Sequence, residues 1–133
     1  MKPTRITIIK AERPELTNVN DLLQWYGGSL GLFNMRDKDR SCFRVFIVLL
    51  KSSKKNIGIS SEEIADATSL SRGTVVYHLN KLIEAGLAKE SKKKYYLEAD
   101  SLEGLTEKIR LDMGLALDNL KKLGKEIDVK MKF

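Results

Sequence analysis

The sequence predicts a mainly α-helical protein with one small β-hairpin, and three features of residues 60–97 carry this prediction. Ser60 and Glu63 form an S-x-x-E capping box, which opens a short helix. A second helix starts near Ser71, whose hydroxyl can accept the free amide hydrogens of the first turn. A basic hairpin over residues 87–97 follows. This order is typical of a winged helix-turn-helix, here with helical extensions at both ends.

The segments before this motif are predicted from the spacing of their apolar residues. Residues 4–10 alternate polar and β-branched side chains, which predicts a short strand or an extended arm closed off by Pro14. Over residues 20–33, apolar positions recur every three or four residues and predict an amphipathic helix that could break at its glycine pair. Another helix is expected to begin around Asp37 or Asp39, because carboxylates suit the positive end of a helix dipole. Its core face is Phe43, Phe46, Ile47 and Leu50.

Inside the motif, the short capped helix is expected to run through Ala67. The second helix should end at Gly86, a good left-handed terminator. Its apolar stripe is Val75, Leu79, Leu82 and Ile83. Beyond it, strands over residues 87–90 and 94–97 flank a turn of Ser91, Lys92 and Lys93. This hairpin is the predicted wing.

The chain ends in a long helix from Ser101 onward, whose apolar residues recur almost as heptads. Such a seam favours pairing with another helix, so we expect a dimer held by Leu105, Ile109, Met113, Ala116, Leu120 and Leu123. Three segments result: an N-terminal arm and helix with an expected dimer contact over 1–36, the winged helix-turn-helix over 37–98, and a dimerisation helix over 99–133.

Length and charge fit this organisation. The 133 residues suffice for one core and are too few for two ordinary domains. The formal net charge of +6 favours a polyanionic partner, because each neutralised phosphate releases condensed counterions. The surplus lies in residues 71–97, where six basic side chains face two acidic ones, whereas charges balance in the last helix. The surplus positive charge therefore lies within the predicted winged helix-turn-helix.

A single cysteine, Cys42, excludes an internal disulfide and a cysteine-rich zinc site. No apolar signal segment follows the N-terminus, and the longest apolar run, 45–50, is far shorter than the roughly 20 residues that span a bilayer. We therefore expect a soluble cytoplasmic protein that has no membrane partner and needs no cofactor.

Residues 74–87 follow the pattern T-V-x-x-H-L-x-x-L-x-x-A-G-L. Over residues 40–98 the chain resembles ArsR-type winged-helix regulators, particularly small archaeal ones, and MarR-type and related groups share much of this pattern. The resemblance implies a homodimer that binds operator DNA, with one recognition helix per subunit in successive major grooves and the wings on the flanking backbone.

Two departures from that family matter. Its metal-sensing members carry cysteine pairs or His and Asp clusters, whereas this chain has only Cys42 and His78, so thiolate metal sensing is not expected. Ser69 also stands in the turn where glycine is frequent, which serine tolerates if the turn is right-handed.

The start of the second helix is the candidate for contact with DNA. Hydroxyls and first-turn amides of Ser71 and Thr74 can hold phosphate, Arg72 can pair bidentately with guanine, and Gly73 allows close approach. The alternative is that Ser71 only caps the helix and Arg72 is a solvated charge.

The remaining candidates lie one turn further and in the wing. Tyr77 and Lys81 follow the outer face and could touch a phosphate, and Tyr77 also a thymine methyl; His78 is open between a backbone contact and a packed side chain. At the wing, Lys92, Lys93 and Lys94 either reach phosphates or are merely solvated.

The function predicted from these residues is that of a homodimeric, sequence-specific regulator of transcription that binds double-stranded DNA. The alternative is a winged-helix module that contacts another protein, because a fold does not determine a function. No paired carboxylates, P-loop or Gly-x-Ser-x-Gly motif support an enzyme. A small-molecule effector pocket could form at Leu22, Trp25, Tyr26 and Phe33, which equally suit a core or a dimer interface.

Overall fold

The computed structural model describes residues 4–10, 15, 18–32 and 40–132. Along these residues the chain forms α1 (Val19–Ser29), α2 (Ser41–Lys54), α3 (Ser61–Thr68), α4 (Arg72–Glu84), β1 (Ala88–Ser91), β2 (Lys94–Leu97) and α5 (Leu102–Met131). The predicted fold class is confirmed: mainly α-helical, with a small hairpin wing and helices on both sides of the motif.

The core lies between α2 and α4, and α3, the wing and the start of α5 close it. Its fully buried members are Val45, Phe46 and Leu49 of α2 and Val75, Leu79 and Leu82 of α4, joined by Ile64 of α3 and Leu105 of α5. Each buried leucine contributes about 2 kcal/mol to folding. Because its inner face is held this firmly, α4 presents its outer face in a fixed position.

The helix ends of the motif form as predicted. The Ser60 hydroxyl accepts from the Glu63 N–H at 3.1 Å, and the Glu63 carboxylate accepts from the Ser60 N–H at 3.3 Å, which is a complete capping box. Ser71 caps α4, and Gly86 follows the helix in the left-handed region with φ +76°.

The wing is an antiparallel hairpin in which Ser91 pairs with Lys94 across a two-residue turn. A further bridge joins Ile59, just before α3, to Tyr95 of β2 through hydrogen bonds of 2.8 and 3.2 Å. At the other end, the Leu97 N–H donates to the buried Ser53 hydroxyl of α2 at 3.1 Å. The wing is therefore tied both to α2 and to the segment that enters α3.

Gly58 makes this attachment possible, because a Cβ there would overlap the Tyr96 ring and lie 2.8 Å from the Lys94 Cβ. We expect Gly58→Ala to lower the free energy of unfolding by about 1–3 kcal/mol through overpacking, measured by urea denaturation. Gly114→Ala is the control: a Cβ there meets nothing within 4 Å on α5, and the substitution should stabilise by about 0.5–1 kcal/mol. Equal effects of the two substitutions would contradict the proposed close approach.

Residues 4–10, here called the arm, belong to no helix and no strand. The Arg5 N–H donates to the Glu84 carbonyl and the Ile9 N–H to the Ser29 carbonyl, both at 2.8 Å, so two separate helix ends hold the arm. No neighbouring strand pairs with it among the described residues. The predicted stop at Pro14 lies outside them.

α1 ends earlier than the sequence predicted, and α2 begins later. α1 runs without a break through Gly27 and Gly28 and ends at Ser29, and the position of Phe33 lies outside the described residues. α2 begins at Ser41 after Arg40, which has φ +53°. Asp37 and Asp39, the predicted starting points of α2, are likewise outside the described residues.

The turn between α3 and α4 corrects one expectation. Ser69 caps α3 with φ +57° and ψ +28°, which is left-handed, whereas the sequence analysis required a right-handed turn for serine to be tolerated. A left-handed L-residue costs roughly 1 kcal/mol, and the packing of α3 and α4 against α2 compensates.

α5 is about 45 Å long at 1.5 Å per residue, and only its first turns pack on the body of the protein. Leu105 and Ile109 are buried in the core of the chain itself. Their predicted role as dimer contacts stays a prediction. Met113 is half-buried against the same core, whereas Ala116, Leu120 and Leu123 are exposed. Among the described helices, none is both long and apolar enough to cross a membrane.

Candidate nucleic-acid interface

The first turn of α4 presents polar groups to solvent. The Ser71 hydroxyl accepts from the Thr74 N–H at 3.1 Å and donates to the Thr74 hydroxyl at 2.8 Å. Arg72 and Gly73 are exposed beside it, and a Cβ at Gly73 would meet nothing within 4 Å. This helix end combines free amide hydrogens, hydroxyls and a guanidinium, which is a suitable arrangement for an anion or a base edge.

One turn further, the outer face of α4 carries Tyr77 and Lys81. The Tyr77 side chain is 59% exposed, and the Lys81 ammonium lies 5.3 Å from the centre of its ring. This cation–π contact holds the ammonium beside an exposed aromatic ring. A charge and a flat apolar surface are therefore presented together on the face opposite Val75, Leu79 and Leu82.

His78 turns inward. Its side chain is only 8% exposed, and its ring packs edge-on against Tyr77 with centres 5.2 Å apart. Of the two alternatives for this residue, burial favours the packed side chain, which supports the orientation of Tyr77.

The tip of the wing is exposed and unusual in its backbone. Lys92 and Lys93 both have positive φ, 53° and 65°, the pattern of a type I′ hairpin turn. Asn-Gly is the pair that this turn prefers, because L-residues with long side chains are disfavoured there. The turn therefore places two lysines at positions that long L-side chains disfavour.

Two acidic side chains at the start of α3 contact this surface. Glu62 pairs with Arg72 at 3.5 Å, and Glu63 pairs with Lys94 at 3.6 Å. A hydrogen bond from the Ser60 backbone is the main cause that lowers the pKa of Glu63, and the Ser60 hydroxyl and the Lys94 charge add to it. Lys94 is thus engaged within the protein, unlike the two lysines at the tip.

The wing tyrosines lie close to the same surface. Burial raises the pKa of Tyr95, Glu90 adds to the rise, and the charge of Arg72 opposes it, so Arg72 lies near β2 as well as α3. Both Tyr95 and Tyr96 are half-buried, with Tyr95 on the core and Tyr96 over Gly58. Tyr95 therefore packs inward, and Tyr96 packs where the wing is attached.

Residues 41–90 match the family model of a helix-turn-helix domain. The matched region runs from the start of α2 into β1 and includes the whole of α3 and α4. No match was found among curated proteins or among solved structures. α1, β2 and α5 lie outside the region that the family model describes.

Within the helix-turn-helix domain, Arg44 of α2 contacts the end of α3, and no pattern in the sequence indicates this role. Its guanidinium donates to the Thr68 carbonyl at the end of α3. The buried Thr68 hydroxyl in turn donates to the Ile64 carbonyl at 2.7 Å. Thus α2 satisfies the last carbonyl of α3 through Arg44, and Thr68 satisfies an earlier one within α3 itself.

Beside the helix-turn-helix domain, α1 and α5 form an open apolar cleft of about 340 Å³. Leu22, Leu23, Trp25 and Tyr26 line it together with Val19 and Leu102. Tyr26 is held there by its hydroxyl, which donates to the Leu102 carbonyl at 3.2 Å and lies 2.7 Å from the Thr106 hydroxyl. Burial raises the pKa of Tyr26.

Metal-ligating side chains do not come together in the helix-turn-helix domain or elsewhere in the described part of the chain. No group of three or more His, Cys, Asp or Glu residues with suitable geometry occurs there. Cys42 is buried in α2, with 2% of its surface exposed.

Proposed function

We propose that the protein is a transcriptional regulator that binds double-stranded DNA by sequence, as a homodimer, with α4 in the major groove and the wing on the adjacent backbone. One observation carries the proposal. The neighbouring residues Glu62 and Glu63 contact Arg72 of α4 and Lys94 of the wing, so the start of α4 and the wing form one continuous surface. The match to a helix-turn-helix domain supports the same use of this surface.

Each exposed group on that surface has a chemical role in the proposed complex. Arg72 pairs with a guanine edge, and the Ser71 and Thr74 hydroxyls bind phosphate at the entrance of the groove. Gly73 lets the backbone approach, while Tyr77 and Lys81 contact the sugar-phosphate chain further along. At the wing, Lys92 and Lys93 neutralise flanking phosphates, and Lys94 joins them when its pair with Glu63 opens.

Dimerisation is the second part of the proposal. Beyond Met113, α5 exposes Leu120 and Leu123, which are 62% and 51% exposed, in line with the buried face of Leu105 and Ile109. A seam that continues past its own core needs a second copy to cover it. Residues 1–36 add to this contact in the proposed arrangement, and residues 37–98 bind the DNA.

The test is a selection of bound duplexes from a random pool, followed by fluorescence anisotropy with the selected and a random duplex. We expect a near-palindromic sequence with half-sites about 34 Å apart. Affinity should fall steeply between about 50 and 200 mM salt. If the chain binds no duplex even at low salt, the proposal is wrong.

Arg72→Ala is expected to weaken binding to the selected duplex by roughly 5- to 150-fold, the loss of one bidentate base contact of about 1–3 kcal/mol. Binding to the random duplex should change far less, so base preference at one position relaxes. Arg110→Ala is the matched control, because Arg110 is also exposed and ion-paired, at 3.4 Å from Glu107, but lies on α5. If both variants bind as the wild type does, α4 does not read the bases through Arg72.

A further inference from the structure

The surface proposed to bind DNA contains one contact that works against simple phosphate binding. The Glu62 carboxylate lies 3.5 Å from the Arg72 Nη1, and both side chains are exposed, 71% and 69% respectively. An exposed carboxylate at that position repels a DNA phosphate and competes with it for the guanidinium. A surface built only for affinity would not carry it.

Resting on the proposed function, we propose that Glu62 is a specificity-determining residue that positions Arg72 for a base and withholds it from phosphates. A guanidinium has five N–H donors in a fixed plane. The contact with Glu62 is made by Nη1, which leaves the edge of Nε and Nη2 for the two acceptors of guanine. Glu62 and guanine can therefore hold Arg72 at the same time.

On random DNA, Arg72 has no guanine edge in the right position. There Arg72 can gain only a phosphate, which must displace Glu62 or approach its negative charge. The negative charge of Glu62 thus weakens non-specific binding, whereas the specific complex keeps the ion pair between Glu62 and Arg72. The carboxylate raises the ratio of the two affinities without making a contact with DNA itself.

Glu63 provides a matched control in the same turn of the same helix. It pairs with Lys94 at 3.6 Å and also completes the capping box with Ser60. Glutamine at this position preserves the capping box. Because Lys94 is proposed to meet only phosphates, Glu63→Gln should strengthen binding to selected and random duplexes alike.

The experiment measures the dissociation constants of selected and random duplexes for the wild type, Glu62→Gln, Arg72→Ala and the double variant. We expect Glu62→Gln to strengthen binding to random DNA by roughly threefold to tenfold and to lower the ratio of the affinities for selected and random DNA by a similar factor. In the Arg72→Ala background, Glu62→Gln should leave that ratio unchanged. Glu62→Asp should restore part of the ratio, which a loss of structure would not allow.

The outcomes separate this inference from the proposed function. If Glu62→Gln changes both duplexes equally, or changes their ratio even without Arg72, Glu62 does not position Arg72 and the inference is overturned while DNA binding stands. If the wild type binds no duplex, the proposed function fails and the inference fails with it. Thermal unfolding of each variant, followed by circular dichroism, verifies that the fold is intact.

Discussion

Replacing Lys92 with Asn and Lys93 with Gly is expected to stabilise the protein and, at the same time, to weaken its binding to all DNA. The two lysines lie in the left-handed region that a type I′ turn requires. Asn and Gly adopt this conformation at little cost, so the free energy of unfolding should rise by about 1–2 kcal/mol. Few substitutions separate stability from function so clearly.

The loss of binding follows from counterion release. Two phosphate contacts fewer should lower the slope of log K against log salt by about 1.8, at 0.9 for each contact. Selected and random duplexes should lose similar factors, roughly tenfold at physiological salt, because the wing contacts no base in the proposed complex. Fluorescence anisotropy over a salt series measures both quantities, and urea denaturation measures the stability.

Two further double variants separate the effect of the lysine charges from the effect of the turn conformation. Lys92→Gln with Lys93→Gln removes the charges but retains the disfavoured turn, so binding should weaken without the gain in stability. Lys121→Gln with Lys122→Gln removes the same number of charges from α5 and should leave the salt slope almost unchanged. An Asn-Gly wing that binds DNA with the wild-type slope would place the wing away from the phosphates.

Replacing Leu120 and Leu123 with Glu is expected to convert the proposed dimer to a monomer. Both side chains are more than half exposed on α5, and in the proposed dimer they lie in the seam, where unpaired carboxylates are strongly unfavourable. A monomer binds only one half-site, whereas in a dimer the first bound subunit holds the second next to its half-site. Affinity for the selected duplex should therefore fall by about 10²-fold or more. Sedimentation equilibrium and anisotropy measure the two effects.

The matched control is Lys125→Glu, which changes the net charge by the same amount, from +1 to −1 at one position instead of 0 to −1 at two. Successive residues of a helix are rotated by about 100°, which places Lys125 on the face of α5 opposite the seam. Its substitution should therefore leave the proposed dimer intact. Leu105 and Ile109 still anchor α5 in the core, and the monomeric variant should therefore keep its helical content. Wild-type protein that sediments as a monomer at micromolar concentration contradicts the dimer proposal directly.

The elements of the motif were predictable because short-range contacts determine them. The capping box of Ser60 and Glu63 joins residues three apart, and Gly86 ends α4 through its own backbone freedom. The hairpin was placed to within one residue: β1 begins and ends one residue later than expected, so Ser91 belongs to the strand and not to the turn. Residues 4–10 were ambiguous between strand and arm, because whether they find a pairing strand depends on distant parts of the chain.

The candidate surface was predictable in its exposed members and less so in its partners. Helical spacing placed Tyr77 and Lys81 outward, as the structure shows, but left His78 undecided at the edge of the buried face. The contact of Glu62 with Arg72 and the contact of Arg44 with the end of α3 were not predicted. These contacts join different helices, and spacing within one helix carries no information about them.

The sequence by itself determined which segments form helices, where the wing turns to within one residue, and which segment carries the surplus positive charge, since each depends on neighbours within a few residues. Only the tertiary structure decided that Ser69 and the wing lysines adopt positive φ, that Leu105 and Ile109 belong to their own core, and that an acidic helix start lies against Arg72. The physical reason is that packing α3 and α4 on α2 sets the angle between helices, and that angle determines which side chains meet.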